Sequence, residues 1–238
     1  MSEFVLLDVT TYIGGFNFTT KMNSMALSLM ADELDSTTFG TDGYRTRKSG
    51  LKDVNGELAG YWDDEVDDAT YSKLGVAHSA VSMSPTGVEG EPAYLWKGEK
   101  FTYSAFGAIG ALTPFSVSIN GSHSQGVARG TYLKKQGNVT ATGATGTAYQ
   151  ISGGIETGFA LYSHFHVFDA GTTITAVVES ADNDEFTDAT TRVTHSALTA
   201  VGSDVQRLAG PITDEYFRVR VTTITGTFSV ACAIGVGV

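Results

Sequence analysis

One cysteine in 238 residues, a charged fraction of only 17% and no long apolar run set the first bounds on this chain. A lone Cys232 cannot close an internal disulfide, so the fold must rest on packing and backbone hydrogen bonds. Its setting, FSVACAIGVGV, reads as that of a buried thiol acting as a small hydrophobe. No stretch approaches the ~20 apolar residues of a membrane helix. The opening MSEFVLLDVTTYIGG has neither the basic start nor the long apolar core of a signal peptide. The expectation is a protein kept in a cytoplasm-like compartment or packed into a particle assembled there. Bases are the scarcer charge: 15 Lys and Arg against 26 Asp and Glu leave a net −11. That balance argues against a phosphate-gripping nucleic-acid binder and against docking on an anionic membrane. Catalytic signatures are missing too, with no GxSxG elbow, Walker loop, GxGxxG after a strand, HExxH or CxxC. No enzyme, cofactor or metal site is expected.

What is abundant points to strands. Gly occurs 28 times, and Thr, Ser, Val and Ala dominate the rest, a composition of strands and tight turns. The length suits one large β domain over 1–238, or a subdivision into 1–120 and 121–238. Phe4 to Val9 reads as a short strand before a Gly14-Gly15 turn. Met22 to Leu34 alternates as a strand, with Met25, Leu27 and Leu29 on one side and Ala26, Ser28 and Met30 on the other. A helix is the competing reading there, because Ala, Leu and Met favour it. A second strand, Asp53 to Trp62, runs into the best helix of the chain, about 64–75. Acids crowd its first turn, Lys73 lies in its last and Gly75 follows as a cap. Val66, Thr70 and Leu74 would face a sheet. From Val81 to Val178 come short strands: VSMS, PAYLWKG, KFTYSAFGAIG, FSVSING, GVARGTYL, TAYQIS, FALYSHFHVF and TTITAVVES. NVTATGATGTA reads as a low-complexity loop, and TTRVTH leads to a polar connection through Gly202. The chain closes with YFRVRVTTI and TFSVACAIGV, joined at Thr225-Gly226. Tyr216, Arg218 and Arg220 share one face of the first, and Phe217, Val219 and Val221 the other. Between Phe101 and Val178 only Glu156, Asp169, Arg129, Lys134 and Lys135 are charged, which implies a sheet covered on both faces.

Four places invite a functional reading. The first is the long polar loop between the strands ending near Leu34 and starting near Asp53. Loops of that length are functional or disordered in compact domains. Its tip holds Asp42-Gly43 as a turn signal, and Arg45, Arg47, Lys48 and Lys52 make the densest basic cluster of an acidic chain. It reads either as a solvated loop or as a docking arm for an acidic surface on another copy. The second is the acid run Asp63-Asp64-Glu65, which suits helix capping better than a metal or a carboxylate pair. The third is the pair His164 and His166 on one strand face with Tyr162 and Phe168. Zinc would need a third ligand such as His195, and packing among aromatics is the simpler reading. The fourth, SADNDEFTD (180–188), fails the EF-hand pattern at Phe186 and reads as a turn.

The order of motifs in LMADELDSTTFGTDGYRTRKSGLKDVNGELAGYWDD resembles major tail tube proteins of long-tailed bacteriophages and related tailed viruses. The marks are an acidic run at Glu33-Leu34-Asp35, a Thr37-Thr38-Phe39-Gly40 turn and a basic loop. A Gly50-Leu51-Lys52-Asp53 re-entry and a Gly60-Tyr61-Trp62-Asp63 close follow. GVARG, LYSHFHVF and PITDEYFRVRVTTITGTFSV resemble such proteins as well. The resemblance implies a mostly β fold, a β-sandwich or partial barrel with one flanking helix, whose strands join a ring-shaped barrel between subunits. It implies a structural virion protein of the tail, assembled in the host cytoplasm. Its copies form stacked rings, six-fold or pseudo-six-fold, around a lumen. Asp35 to Gly50 would be the ring-stacking loop, through Asp35, Thr37, Thr38, Phe39, Gly40, Asp42, Gly43, Tyr44, Arg45, Arg47 and Lys48. Gly50, Leu51, Lys52, Asp53, Gly60, Tyr61 and Trp62 would be structural. Implied partners are sister copies, the tape measure, terminator and baseplate proteins, and DNA as transient non-specific cargo, with no membrane. Other readings stay open: a terminator, a baseplate hub, a head-decoration protein, or a carbohydrate- or receptor-binding sandwich using Tyr162, His164 and Phe168.

Overall fold

The computed structural model describes residues 9–40, 44–76 and 79–238. Fifteen strands and one helix lie within them. A small hairpin of β1 (Thr10–Ile13) and β2 (Phe16–Asn17), turned at Gly14-Gly15, comes first. The residues 4–8 of the expected opening strand lie outside the described residues. β3 (Met22–Asp35), β4 (Arg47–Tyr61) and α1 (Asp64–Tyr71) follow. Next are β5 (Ser79–Ser84), β6 (Pro92–Ala105), β7 (Pro114–Gly121) and β8 (Val127–Val139). β9 (Gly143–Gln150), β10 (Ala160–Asp169), β11 (Thr173–Ala181) and β12 (Thr190–Thr194) come after them. β13 (Gly202–Ala209), β14 (Tyr216–Thr225) and β15 (Phe228–Gly237) complete the chain. The fold is mostly β.

Three branches of the large sheet meet at β6. The segments PAYLWKG and KFTYSA, expected as two strands, are one. One edge of β6 pairs with β5. The other pairs with β8 along Pro92–Trp96 and then with β7 along Gly98–Ala105. From β8 the sheet continues through β15 and β10 to β13; from β7 it continues through β4 to β3; from β5 it reaches β1 and β2. A second sheet, ordered β12-β11-β14-β9, covers the β8–β15–β10 layer.

Three cores result. Between the two sheets Phe165 and Val167 of β10, Val178 of β11, Phe217 and Val219 of β14 and Val230 of β15 pack together. β14 shows why: its Phe217, Val219 and Val221 are buried while Tyr216, Arg218 and Arg220 are half-buried, the period-2 pattern of a strand with one polar side. A second core lies beneath α1, with Val66 and Ala69 against Leu58, Trp96, Val117 and Ile119. The third sits inside the curl of the large sheet. There β1 faces β10, with the Tyr12 ring 4.8 Å from Phe168 and 5.3 Å from Tyr132. Ala93, Ala128, Ala160, Ala231 and Ala233 leave room for that tight curl. β10 is therefore buried on both faces, as the low charge of its neighbourhood implied.

Four local expectations are corrected. The helix ends at Tyr71 and not at 75, with Ser72 as its C-cap. Beyond it the chain tightens into turns, Lys73 N–H to Thr70 O and Leu74 N–H to Tyr71 O, and Leu74 bridges to Lys100. Lys73 thus lies past the last turn, and Leu74 is exposed. The helix start is as expected, with the Asp63 carboxylate accepting from Val66 N–H at 2.9 Å and acids at Asp64, Glu65 and Asp67. NVTATGATGTA is not a loop: it is the end of β8, with Val139 in the core, and the start of β9. The connection through Gly202 is strand β13, paired with β10 from Gly202 to Ala209. The fourth correction, to the long loop, concerns the assembly surface.

Lys100 is a buried charge in the helical core. It is 2% exposed and donates from Nζ to Ala69 O, with Phe18 beneath at 5.5 Å from the ring centroid. Burial, with Lys73 adding, pulls its pKa down to about 8. The unfolded chain, near 10.5, then binds more protons than the folded one between pH 8 and 10.5, so stability rises with pH across that window. We expect Lys100→Met to lack this rise, which is on the order of 3 kcal/mol in the parent. Denaturant unfolding of both proteins at pH 7.5, 9 and 10, conditions about and above the shifted value, checks it.

Candidate assembly surface

β3 and β4 pair from Met22↔Gly60 to Asp35↔Arg47. The expected loop from Asp35 to Gly50 is therefore shorter, spanning 36–46, and Arg47, Lys48, Gly50, Leu51, Lys52 and Asp53 stand in β4. Their polar side chains hid the strand, because this part of the hairpin buries neither face. β7 supports β4 only between Asn55↔Asn120 and Tyr61↔Pro114. Beyond Asn55 the hairpin runs on as a two-stranded arm, with Leu29, Met30, Leu34 and Leu51 exposed. Isolated two-stranded ribbons are marginally stable in water. Near the arm's end Ser36 N–H donates to Thr46 O at 2.9 Å, Thr37 N–H to Asp35 Oδ1 at 2.9 Å, and Thr46 N–H to Thr37 Oγ1 at 3.0 Å. Thr38 also belongs to this turn region, and Phe39, Gly40 and Tyr44 are exposed on it. Asp42 and Gly43 lie outside the described residues. Arg47 is paired with Glu33 across the ladder. Arg45, Lys48 and Lys52 form no ion pair among the described residues and face solvent.

Two open edges flank the sheet that carries this arm. β3 pairs with β4 alone among the described residues, so its outer edge is free over 14 residues. At the other side, 101–105 of β6 pairs with β7 on one edge, and no strand pairs with the other among the described residues. Unpaired edges are templates for another chain. The face between these edges is small and polar. Ser24, Ala59, Ser116 and Ser104 form one cross-strand row, and Ala26, Glu57, Ser118 and Thr102 the next. Among the described residues, Glu57 is the one charged side chain lining the shallow groove along it.

The Gly60-Tyr61-Trp62 close has structural reasons. A Cβ at Gly60 would sit 2.0 Å from the Lys21 carbonyl oxygen, so only glycine lets the two strands meet here. Tyr61 is exposed, and Trp62 Nε1 donates to Asp67 Oδ1 at 3.3 Å, tying the strand to α1. Asp63 caps α1 and pairs with Lys21, which also lies 3.8 Å from Glu65, while Asp64 and Glu65 are exposed in the first turn.

The histidines are packed and not exposed. His164 and His166 share Ser82 Oγ, at 3.2 Å from Nδ1 and 3.0 Å from Nε2, inside the curl. His195 lies on the opposite face of β10, stacked on Phe165, and so cannot complete a zinc site with them. Among the described residues no group of three or more His, Cys, Asp or Glu is placed to hold a metal. Tyr162 and His164 are buried, which removes the aromatic platform expected of a glycan binder. Of the 180–188 segment, Ser180 and Ala181 end β11 and the rest is the expected turn to β12, although Phe186 tucks inward beneath Arg218, 4.2 Å from the ring centroid. Cys232 is buried, and burial pushes its thiol up to about 12.

The structure also assembles a chain that spacing did not reveal. Ser163 Oγ lies 2.9 Å from His195 Nε2, and His195 Nδ1 lies 2.8 Å from Asp204 Oδ2. Burial opposes the Asp204 charge, but hydrogen bonds from His195, Gln206 and Ser196 N–H hold its carboxyl well below the usual range. Ser163 is fully buried, so the row has no surface for a substrate and works as a strap joining the residue after β12 to β10 and β13. No local signal marks it, since its members lie 32 and 9 residues apart.

Burial lowers His164 well below its ordinary value and His166 to about 3. Below pH 6.5 the unfolded chain gains protons that the folded chain refuses, so stability falls with pH from there towards 3. His166→Gln is expected to shed about 2 kcal/mol of the stability lost between pH 7 and pH 5. Unfolding curves of parent and variant at the two pH values measure the difference.

No family model and no curated protein matches this chain. Solved structures that match include the following three. A chain from the virion of the native gene transfer agent particle matches 49% of this chain and 92% of its own, at 13% identity and TM-score 0.41. The SPP1 Dit protein, described as a paradigm of the hub adsorption apparatus in phages infecting Gram-positive hosts, matches 97% and 99%, at 10% identity and TM-score 0.36. A chain of the phage p2 baseplate in its activated conformation matches 94% and 97%, at 8% identity and TM-score 0.33. Likeness at this level identifies neither family nor function.

Proposed function

We propose that this chain is a structural virion protein that polymerises with its own copies into stacked rings, forming the hollow tail tube through which viral DNA passes. The observation that carries this reading is the β3–β4 hairpin: a 14-residue open edge continued into an arm exposed on both faces. Leaving such an edge and such apolar side chains in water is a hazard that a neighbouring copy removes. The free edge of β3 and the free edge of β6 over 101–105 lie on opposite sides of one sheet. Pairing them between copies is head-to-tail, and a head-to-tail contact whose rotation closes gives a ring. No internal repeat is present, which favours six identical copies over three doubled ones.

The Ser, Thr and Asn face of this sheet suits a lumen wall. It offers no cation along its groove, and Glu57 repels phosphate, so DNA slides without the counterion release that makes binding tight. DNA is then transient cargo, and the lasting partners are sister copies and the tape measure, terminator and baseplate proteins. The arm carries Arg45, Lys48 and Lys52 towards acids of an adjacent ring.

Negative-stain microscopy of the purified protein tests this reading, with tubes expected. Single closed rings that never stack would instead make it a hub or terminator ring, and a persistent monomer at high concentration would sink the proposal. Reversing Arg45, Lys48 and Lys52 to Glu is expected to leave the thermal midpoint within about 2 °C of the parent while abolishing tubes. Tubes of parental length from this variant would remove the arm from ring stacking.

A further inference from the structure

Inside the curl of the large sheet, three polar side chains form a row whose hydrogens can be assigned. His164 Nδ1 and His166 Nε2 both meet Ser82 Oγ, at 3.2 and 3.0 Å. A serine hydroxyl has one hydrogen, so it donates to one ring and accepts from the other. His164 also hydrogen-bonds to the Val81 backbone in the sense that favours its charged form, so the ring donates there. A neutral ring has one N–H, which leaves His164 Nδ1 to accept the Ser82 hydrogen. His166 then donates from Nε2, and its Nδ1 keeps a bare lone pair. That nitrogen is buried without a hydrogen-bond partner. It is the open proton acceptor of the row, sealed in the interior.

The hairpin of β1 and β2 provides the seal. Tyr12 of β1 and Phe168 flank the His166 ring, their centroids 5.9 and 6.0 Å away. The hairpin tip rests on the backbone beside it: a Cβ on Gly15 would lie 2.6 Å from Val167 O and 2.5 Å from Gly202 N. The hairpin is also peripheral, since β1 joins the sheet through β5 alone and β2 is the last strand on that side. Marginal elements of this kind open on their own at lower free energy than the whole fold. A charge on His166 would find no counterpart in the closed state. Facing it, Tyr12 has a phenol that burial pushes up to about 12, and burial raises Tyr132 of β8 as well. β2 and β5 carry no titratable side chain. Lys97 of β6 acts on His164, and His195 acts on both rings from the far face of β10. Across from the rings stand Ser203 and Val205 of β13 and Ala231 and Ala233 of β15. Among the described residues no carboxylate acts on either ring.

We infer that the β1–β2 hairpin is an acid-released latch: closed, it keeps His166 dry and neutral, and lifting it lets water deliver a proton to Nδ1, so opening grows easier as pH falls. The inference concerns the single subunit and stands apart from the tube reading.

Native-state hydrogen exchange tests it, with amide rates corrected for their own pH dependence. Between about pH 6 and 4.5 the open hairpin takes up one proton that the closed one refuses, so protection of the β1 amides is expected to fall about tenfold per pH unit. Amides of β15, held between β8 and β10, exchange only when the whole fold opens and are expected to stay better protected throughout. His166→Gln can still donate to Ser82 but cannot titrate, and is expected to keep β1 protection level across this range. Equal protection of β1 and β15 in the parent would overturn the inference, because the hairpin would then open only with the whole fold. Parental β1 protection that does not change with pH would overturn it too, as would an equally steep fall in His166→Gln. The two parental outcomes need no substitution, so the test stands even if the variant does not fold.

Discussion

The backbone hydrogen bonds of β6 are the constraint on which the molecule depends. Its 14 residues offer one edge to β5 and divide the other between β8 and β7, with a register shift between Lys100 and Thr102. The change of partner falls near Gly98, where a Cβ would lie 2.7 Å from Ile119 and 3.0 Å from the Trp96 indole nitrogen. A side chain there would collide with Ile119 of β7, Trp96 of β6 itself and Val81 of β5. Because β8 leads into the sandwich and β7 into the arm-bearing sheet, a single strand sets how both are placed. The Trp96 side chain, fully buried beside this junction, packs into the core beneath α1.

This arrangement explains how different the two parts of the chain look to water. The sandwich around β10 closes its interior on both sides and ties β11 to β14 with ion pairs from Arg218 and Arg220 to a buried Glu179. The sheet of β3, β4, β7 and β6 has one covered face, beneath α1, and one bare polar face. Its arm has no covered face at all. Side-chain burial thus fades along β4, from Leu58 and Val54, which are buried, to Leu51, which is exposed. A strand in that position gains almost nothing from its own subunit beyond its ladder with β3, and a neighbour has the most to add there.

Legibility in the sequence followed burial. Where side chains are buried, the pattern told the truth: β14, the Met25 and Leu27 side of β3, the packed His164 and His166, and the thiol of Cys232 all stand as their settings implied. Capping chemistry likewise located the start of α1, because Asp63 and the acids after it act locally. The failures share another cause. Residues 47–52, β9 and β13 are strands whose side chains are largely exposed or half-buried, held by backbone pairing to one neighbour. Backbone pairing leaves no mark on side-chain periodicity, so Arg47 to Lys52 and GATGTA looked like loops. The end of α1 was misplaced because Leu74 continues the spacing of Val66 and Thr70 while its backbone has already left the helix to bridge to Lys100. The Ser163–His195–Asp204 strap was invisible for a further reason: only the tertiary fold brings its members together.

The thiol of Cys232 has a practical corollary. A thiol sealed between Ser163 and the interior of the sandwich, its pKa pushed up by burial, presents no accessible thiolate at neutral pH. The native fold is therefore chemically silent towards maleimides and disulfide reagents, even though it is not cysteine-free. A single cysteine introduced on the outer surface becomes the sole addressable handle on each subunit, so dyes, spin labels or gold can be attached at one chosen site per copy without first removing Cys232.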